Sequence, residues 1–129
     1  MSAQTPKHVA MKWVAAYNSH DADAAAALYD ANVTNVQMPY GKPVQGREAM
    51  RATYVNVFQA FPDIRVQVEN IVEDSQWVAV EWTFSGTMQG EFAGHPPNNS
   101  HFSLRGCELF HVVDGKIHAQ RGYWDKETM

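Results

Sequence analysis

Phe61-Pro62-Asp63-Ile64-Arg65-Val66-Gln67-Val68 is the stretch in which the chain changes its period. Before it, Ala49, Met50, Thr53, Tyr54, Val57, Phe58 and Phe61 recur at helical spacing, one apolar stripe of a helix that begins at Gly46. After it, Ile64, Val66 and Val68 alternate with Arg65, Gln67 and Glu69, the pattern of a strand with one buried face. Pro62 marks the boundary, because it has no N–H to continue the helical ladder.

Reading outward toward the N-terminus adds two helices. Thr5-Pro6 opens the first, with Thr as cap and Pro in the first turn, and Val9, Ala10, Trp13, Val14, Ala16 and Tyr17 form its apolar face. Asp21 caps a second, Ala-rich helix expected to run through Leu28 and Tyr29. Asn32 to Gln37 reads as a short strand, and Met38 to Pro43, with two prolines and a glycine, as a loop. Toward the C-terminus, Val78, Val80, Trp82 and Phe84 form a second alternating strand after a turn at Glu73-Asp74-Ser75-Gln76. Gly86 to Ser100 is loop, Phe102 to Val113 a long strand, Asp114-Gly115 a hairpin signal and Lys116 to Asp125 the last strand. Helices followed by a run of antiparallel strands define an α+β domain, with the helices packed on one face of a curved sheet. Such a sheet encloses a conical cavity suited to a small molecule.

The 129 residues are expected to form one domain spanning 1–129. With 45% hydrophobic and 19% charged residues the chain is not of the disordered class. A net charge of -4 argues against a nucleic-acid or anionic-membrane surface, both of which need a basic face. No apolar run approaches the ~20 residues of a membrane span, and the N-terminus lacks the apolar core of a signal peptide. The single cysteine, Cys107, permits no intrachain disulfide, so a cytoplasmic location is expected. His8, His20, His95, His101, His111 and His118 show neither His-x-His nor HExxH spacing, and there is no GxGxxG or P-loop. Neither a metal nor a cofactor is expected.

Several motifs occur together: Asn18-Ser19-His20-Asp21-Ala22-Asp23, Gly46-Arg47-Glu48-Ala49, Phe61-Pro62-Asp63, Gly86 to Pro97, Asp114-Gly115-Lys116-Ile117 and Gly122-Tyr123-Trp124-Asp125. With these the chain resembles the NTF2-like superfamily and, within it, the SnoaL-like polyketide cyclases, over almost its whole length. The resemblance implies a cone of three N-terminal helices on a curved, mostly antiparallel sheet. It also implies an intramolecular aldol closure of a polyketide ring. Its members use an Asp near the end of the last strand and a His on the preceding one, positions matched here to Asp125 and His111. A ketosteroid-isomerase-like isomerase or a non-catalytic binding and dimerisation module are the alternative roles of this fold.

Whether His111 and Asp125 share a face depends on the last hairpin. A two-residue Asp114-Gly115 turn would pair His111 with His118; a three-residue loop with Gly115 as a bulge would pair it with Ile117. The second register is favoured. It puts Arg105, Cys107, Leu109 and His111 on one face with Ile117, Ala119, Arg121, Tyr123 and Asp125, the more apolar face of the last strand. Asp125, buried and raised in pKa, is then the acid/base candidate, His111 its proton-transfer partner and Arg121 an ion pair or anion holder. Trp13, Tyr17, Met38, Tyr54, Phe58 and Trp82 are the expected cavity wall, suited to a flat hydrophobic ligand, with tyrosine hydroxyls to offer. Trp77, Glu108, Phe110, Val112 and Trp124 are assigned to the outer face, which implies a homodimer or larger homo-oligomer.

Overall fold

The computed structural model describes residues 5–91 and 96–125. The Phe92-Ala93-Gly94-His95 part of the loop motif lies outside the described residues. Helix α1 (Pro6–Asn18) starts where Thr5 Oγ1 accepts the His8 N–H, and α2 (Ala22–Ala26) where the Asp21 carboxylate accepts the Ala24 N–H. α2 stops short of the expected end, because the chain is drawn into the sheet from Tyr29 onward. There β1 (Tyr29–Gln37) pairs in parallel with the last strand. After the Met38 to Lys42 loop, Pro43–Gln45 adds a three-residue edge strand, β2, to β1. An edge tolerates proline, because its missing N–H costs no ladder bond there. Helix α3 (Arg47–Ala60) follows Gly46, whose φ of 93° suits glycine.

Strands β3 (Arg65–Asp74), β4 (Trp77–Thr87), β5 (His101–Val113) and β6 (Lys116–Trp124) form an antiparallel meander. The six-stranded sheet runs β2-β1-β6-β5-β4-β3, so β1–β6 is its one parallel pair. α1 and α3 bury Val9, Trp13, Tyr17, Met50, Tyr54 and Val57 against the concave side, where Val66, Val80, Trp82, Phe110 and Val112 meet them. None of the described helices is long and apolar enough to cross a membrane.

The last hairpin corrects the favoured register. Asp114 and Gly115 both have positive φ (52° and 76°) and close a two-residue turn with Val113 opposite Lys116 and Val112 opposite Ile117. One step further, His111 lies opposite Ala119. His118 is therefore an extra residue on β6, a β-bulge, and it reverses which side the following residues face. Ile117 points into the core, and after the bulge Gln120 and Gly122 do. On β5 the inward set is Leu104, Glu108, Phe110 and Val112.

Candidate active site

Between the concave face and the helices lies a cavity of about 350 Å³. Its walls are largely aromatic and aliphatic: Trp13 and Tyr17 from α1, Met50, Tyr54 and Val57 from α3, and Phe84, Phe102 and Leu104 from the sheet. Tyr40, Lys42 and Trp124 line its more exposed end. The polar groups are few. Asn35, Gln37 and Glu108 project inward from β1 and β5, and Thr53 and Asn56 from α3.

Glu108 is 4% exposed. Opposite it on β6 is Gly122, where a β carbon would collide with the Gln37 amide and the Glu108 carboxylate, so only glycine lets the two side chains meet there. Gln120 Nε2 donates to Glu108 Oε2 at 2.7 Å, and Gln37 Nε2 reaches the same oxygen at 3.4 Å. Burial raises the Glu108 pKa to about 7, and the two amide donors moderate the rise. A carboxyl poised near neutrality in an apolar cavity can take a proton and give it back.

The three residues expected to be catalytic sit elsewhere. His111 is on the convex side, stacked on Trp77 with ring centroids 4.5 Å apart and hydrogen-bonded to Gln76 at 3.0 Å. The Arg121 guanidinium lies 5.4 Å over the other partner of that stack, the Trp77 ring. Asp125 is exposed beyond the end of β6 and is not a cavity residue, so the expected burial does not occur. For Arg121 and Asp125 the physical reason is the His118 bulge, which turns the odd-numbered residues of β6 outward from Ala119 on; His111 faces out because its neighbours Phe110 and Val112 pack inward.

Of the expected wall, Trp13, Tyr17 and Tyr54 line the cavity. Met38 is 40% exposed on the loop after β1. Phe58 packs behind Tyr17 at 5.3 Å, and Trp82, 1% exposed, sits under Phe84 in the space that Gly106 leaves bare. The outer-face assignment is corrected too: Glu108, Phe110 and Val112 are buried inside, and Trp124 lines the cavity, leaving Trp77 of that set outside. Sequence reasoning missed the inward pair Glu108–Gln120 and the Gln37 that joins it. The signal was available on β5, where Glu108 shares its parity with Leu104, Phe110 and Val112.

This α+β cone is the ketosteroid-isomerase-like, NTF2-like fold. A protein of that fold from Catenulispora acidiphila, solved with trimethylamine, superposes with a TM-score of 0.83 at 18% identity, covering 96% of this chain and 89% of the other. A SnoaL-like polyketide cyclase from Agrobacterium tumefaciens superposes with a TM-score of 0.81 at 22% identity, covering 96% and 94%. The family model for SnoaL-like polyketide cyclases matches residues 7–129. Aklanonic acid methyl ester cyclase AcmA of Streptomyces galilaeus is 29% identical over 115 residues, 88% of this chain and 80% of that protein. The chain belongs to the SnoaL-like polyketide cyclase family. Its cavity departs from the pattern the resemblance implied: the inward acid is on β5, as Glu108, and a neutral amide, Gln120, faces it from β6.

Proposed function

We propose that the protein is a cofactor-independent cyclase of a hydrophobic polycarbonyl compound, with Glu108 as its acid/base. The observation that carries this reading is the Glu108 carboxyl, buried in an aromatic cavity with a pKa near 7. The ionised carboxylate takes a proton from a carbon next to a carbonyl. The enolate carbon attacks a second carbonyl carbon of the same molecule, forming the new C–C bond as that carbonyl's π pair moves to its oxygen. Glu108 then returns its proton to the alkoxide, so the enzyme leaves unchanged and the product is an isomer of the substrate. Returning the proton to another carbon instead would give an isomerase, the second reading that a single self-restoring carboxyl supports.

The test is turnover of flexible polycarbonyl compounds, followed by chromatography and mass spectrometry, in the parent and in Glu108→Gln. A ring-closed product of unchanged mass, lost in the variant, supports the cyclase; a double-bond shift of unchanged mass supports the isomerase. Binding without turnover by the parent would leave a ligand-binding module.

We also infer a homodimer through the convex side, where Trp77, Leu109, Val72 and the 46% exposed Tyr123 lie beside Arg121. Sedimentation of a dimer, dissociated by Trp77→Glu, is the expected result. A monomer at micromolar concentration would overturn it.

A further inference from the structure

Glu108 accepts both amide donors on Oε2, while Oε1 accepts none among the described residues. Two chains of hydrogen bonds lead to that asymmetry, and each begins at an indole N–H, a group that only donates. In the first, Trp13 Nε1 donates to Tyr54 Oη at 2.8 Å. Tyr54 and Tyr29 share a short hydroxyl contact, Tyr29 donates to Gln120 Oε1, and Gln120 Nε2 donates to Glu108. Since Tyr29 spends its proton on Gln120, the proton between the hydroxyls is Tyr54's. In the second, Trp124 Nε1 donates to Gln37 Oε1 at 2.8 Å, which leaves Gln37 Nε2 for Asn35 Oδ1 at 2.9 Å and for Glu108. Reversing either amide would set its oxygen against the carboxylate, and reversing Gln37 would also set its NH₂ against the Trp124 indole N–H.

We propose that Trp124, acting through Gln37, and the Trp13–Tyr54–Tyr29 chain, acting through Gln120, are positioning residues that hold Glu108 Oε2 and leave Oε1 as the oxygen that exchanges the proton. The proposal rests on the reading of Glu108 as the acid/base. It is independent of which ring the enzyme closes. Gly122 supports the Gln37 arm, because a β carbon there would collide with Gln37 Oε1 and Glu108 Oε1 and push the amide off the carboxyl. Tyr54, although it lines the cavity, has no proton left for a substrate and presents only a lone pair.

The groups facing Glu108 are few. Tyr17 on α1, Tyr54 on α3 and Tyr29 on β1 are buried phenols, held neutral because burial lifts their pKa values. Tyr40 is pushed up to about 12 by burial, and Lys42, on the same loop, is the cation among the cavity residues. From β4, Val80 stands opposite Glu108, and Cys107 beside it on β5 is turned to the other side. No other ionised group competes with the amides for the carboxylate among the cavity residues.

The experiment is a pH titration of the carboxyl C=O band of Glu108 by infrared difference spectroscopy, assigned by its absence in Glu108→Gln, on the free protein without substrate. Tyr29→Phe frees the Gln120 amide to turn. It should raise the midpoint by about one pH unit or more, the scale of one hydrogen bond to a charged group. Trp124→Phe frees Gln37, whose bond is longer, and should raise it by about half a unit. Midpoints unmoved in both variants would overturn the proposal. In the unmodified protein the side-chain amide NMR signals of Gln37 and Gln120 should both follow the Glu108 midpoint, and failure of either to do so would overturn it even if the variants do not fold. Shifted midpoints in a protein that turns nothing over would sink the activity reading alone. An inactive Glu108→Gln with unmoved midpoints would sink the two relays alone.

Discussion

The two sides of β5 and β6 carry contrasting polar groups. The convex side has His111, Trp77 and Arg121, residue types that suggest chemistry, yet they are half-exposed and satisfied by stacking and by Gln76. The concave side of the sheet has one acid, Glu108, with the amides of Asn35, Gln37 and Gln120, an unremarkable set by composition, but the acid is desolvated and faces a cavity. Reactivity here follows from surroundings. Burial moves the Glu108 carboxyl into the range where proton transfer in both directions is cheap.

The largest expected effect tests that contrast directly. Glu108→Gln should lower turnover by about 10²–10⁴-fold, the usual share of general acid–base catalysis. His111→Ala combined with Arg121→Ala should leave it within about threefold if the convex side only packs, since lost surface contacts of this kind cost roughly 1 kcal/mol. The reverse outcome, read from the same assay, would move the chemistry to the convex side. Stability should also depend on pH through Glu108. Its folded pKa of about 7 exceeds the ordinary 4.5, so the folded state binds the proton more tightly. Its contribution is complete below the ordinary value and is lost as pH rises through the folded one. The loss should be of the order of 3 kcal/mol between pH 4 and pH 8. Denaturant unfolding of Glu108→Gln over this range should lack that component. Gly122→Ala comes next: overpacking of this kind costs about 1–3 kcal/mol, and turnover should fall further than thermal stability because the β carbon meets Gln37 and Glu108. The smallest effect is expected from Thr5→Ala, about 1 kcal/mol from the lost α1 cap, with turnover unchanged.

Much of the scaffold was legible in the sequence. Thr5 and Asp21 cap helices where their side chains reach the next turn, Pro62 separates the two periods, and Asp114-Gly115 closes a hairpin. The site was less legible, because face is a matter of parity and His118 breaks it. Counting from the apolar Ile117 carried Arg121 and Asp125 inward on paper, when one unpaired residue had already turned the strand over. Nothing in a histidine between Ile117 and Ala119 announces a bulge. On β5 no bulge intervenes, and the apolar neighbours Leu104, Phe110 and Val112 identify the inward side on which Glu108 lies. Trp124 was hidden for the same reason as Gln120: both are even-numbered residues beyond the bulge.

The bulge also has a consequence for comparing relatives. The Asp114-Gly115 turn sets the pairing at one end of the hairpin, while the Gly106–Trp124 and Glu108–Gly122 pairs set it at the other. His118 absorbs the difference between them. Gap placement there decides whether a relative's residue is aligned with Gln120 or with a residue on the opposite side. Relatives are therefore best superposed from the Gly122 end, since a single insertion or deletion beside the turn would exchange the two sides in any alignment anchored at Asp114-Gly115.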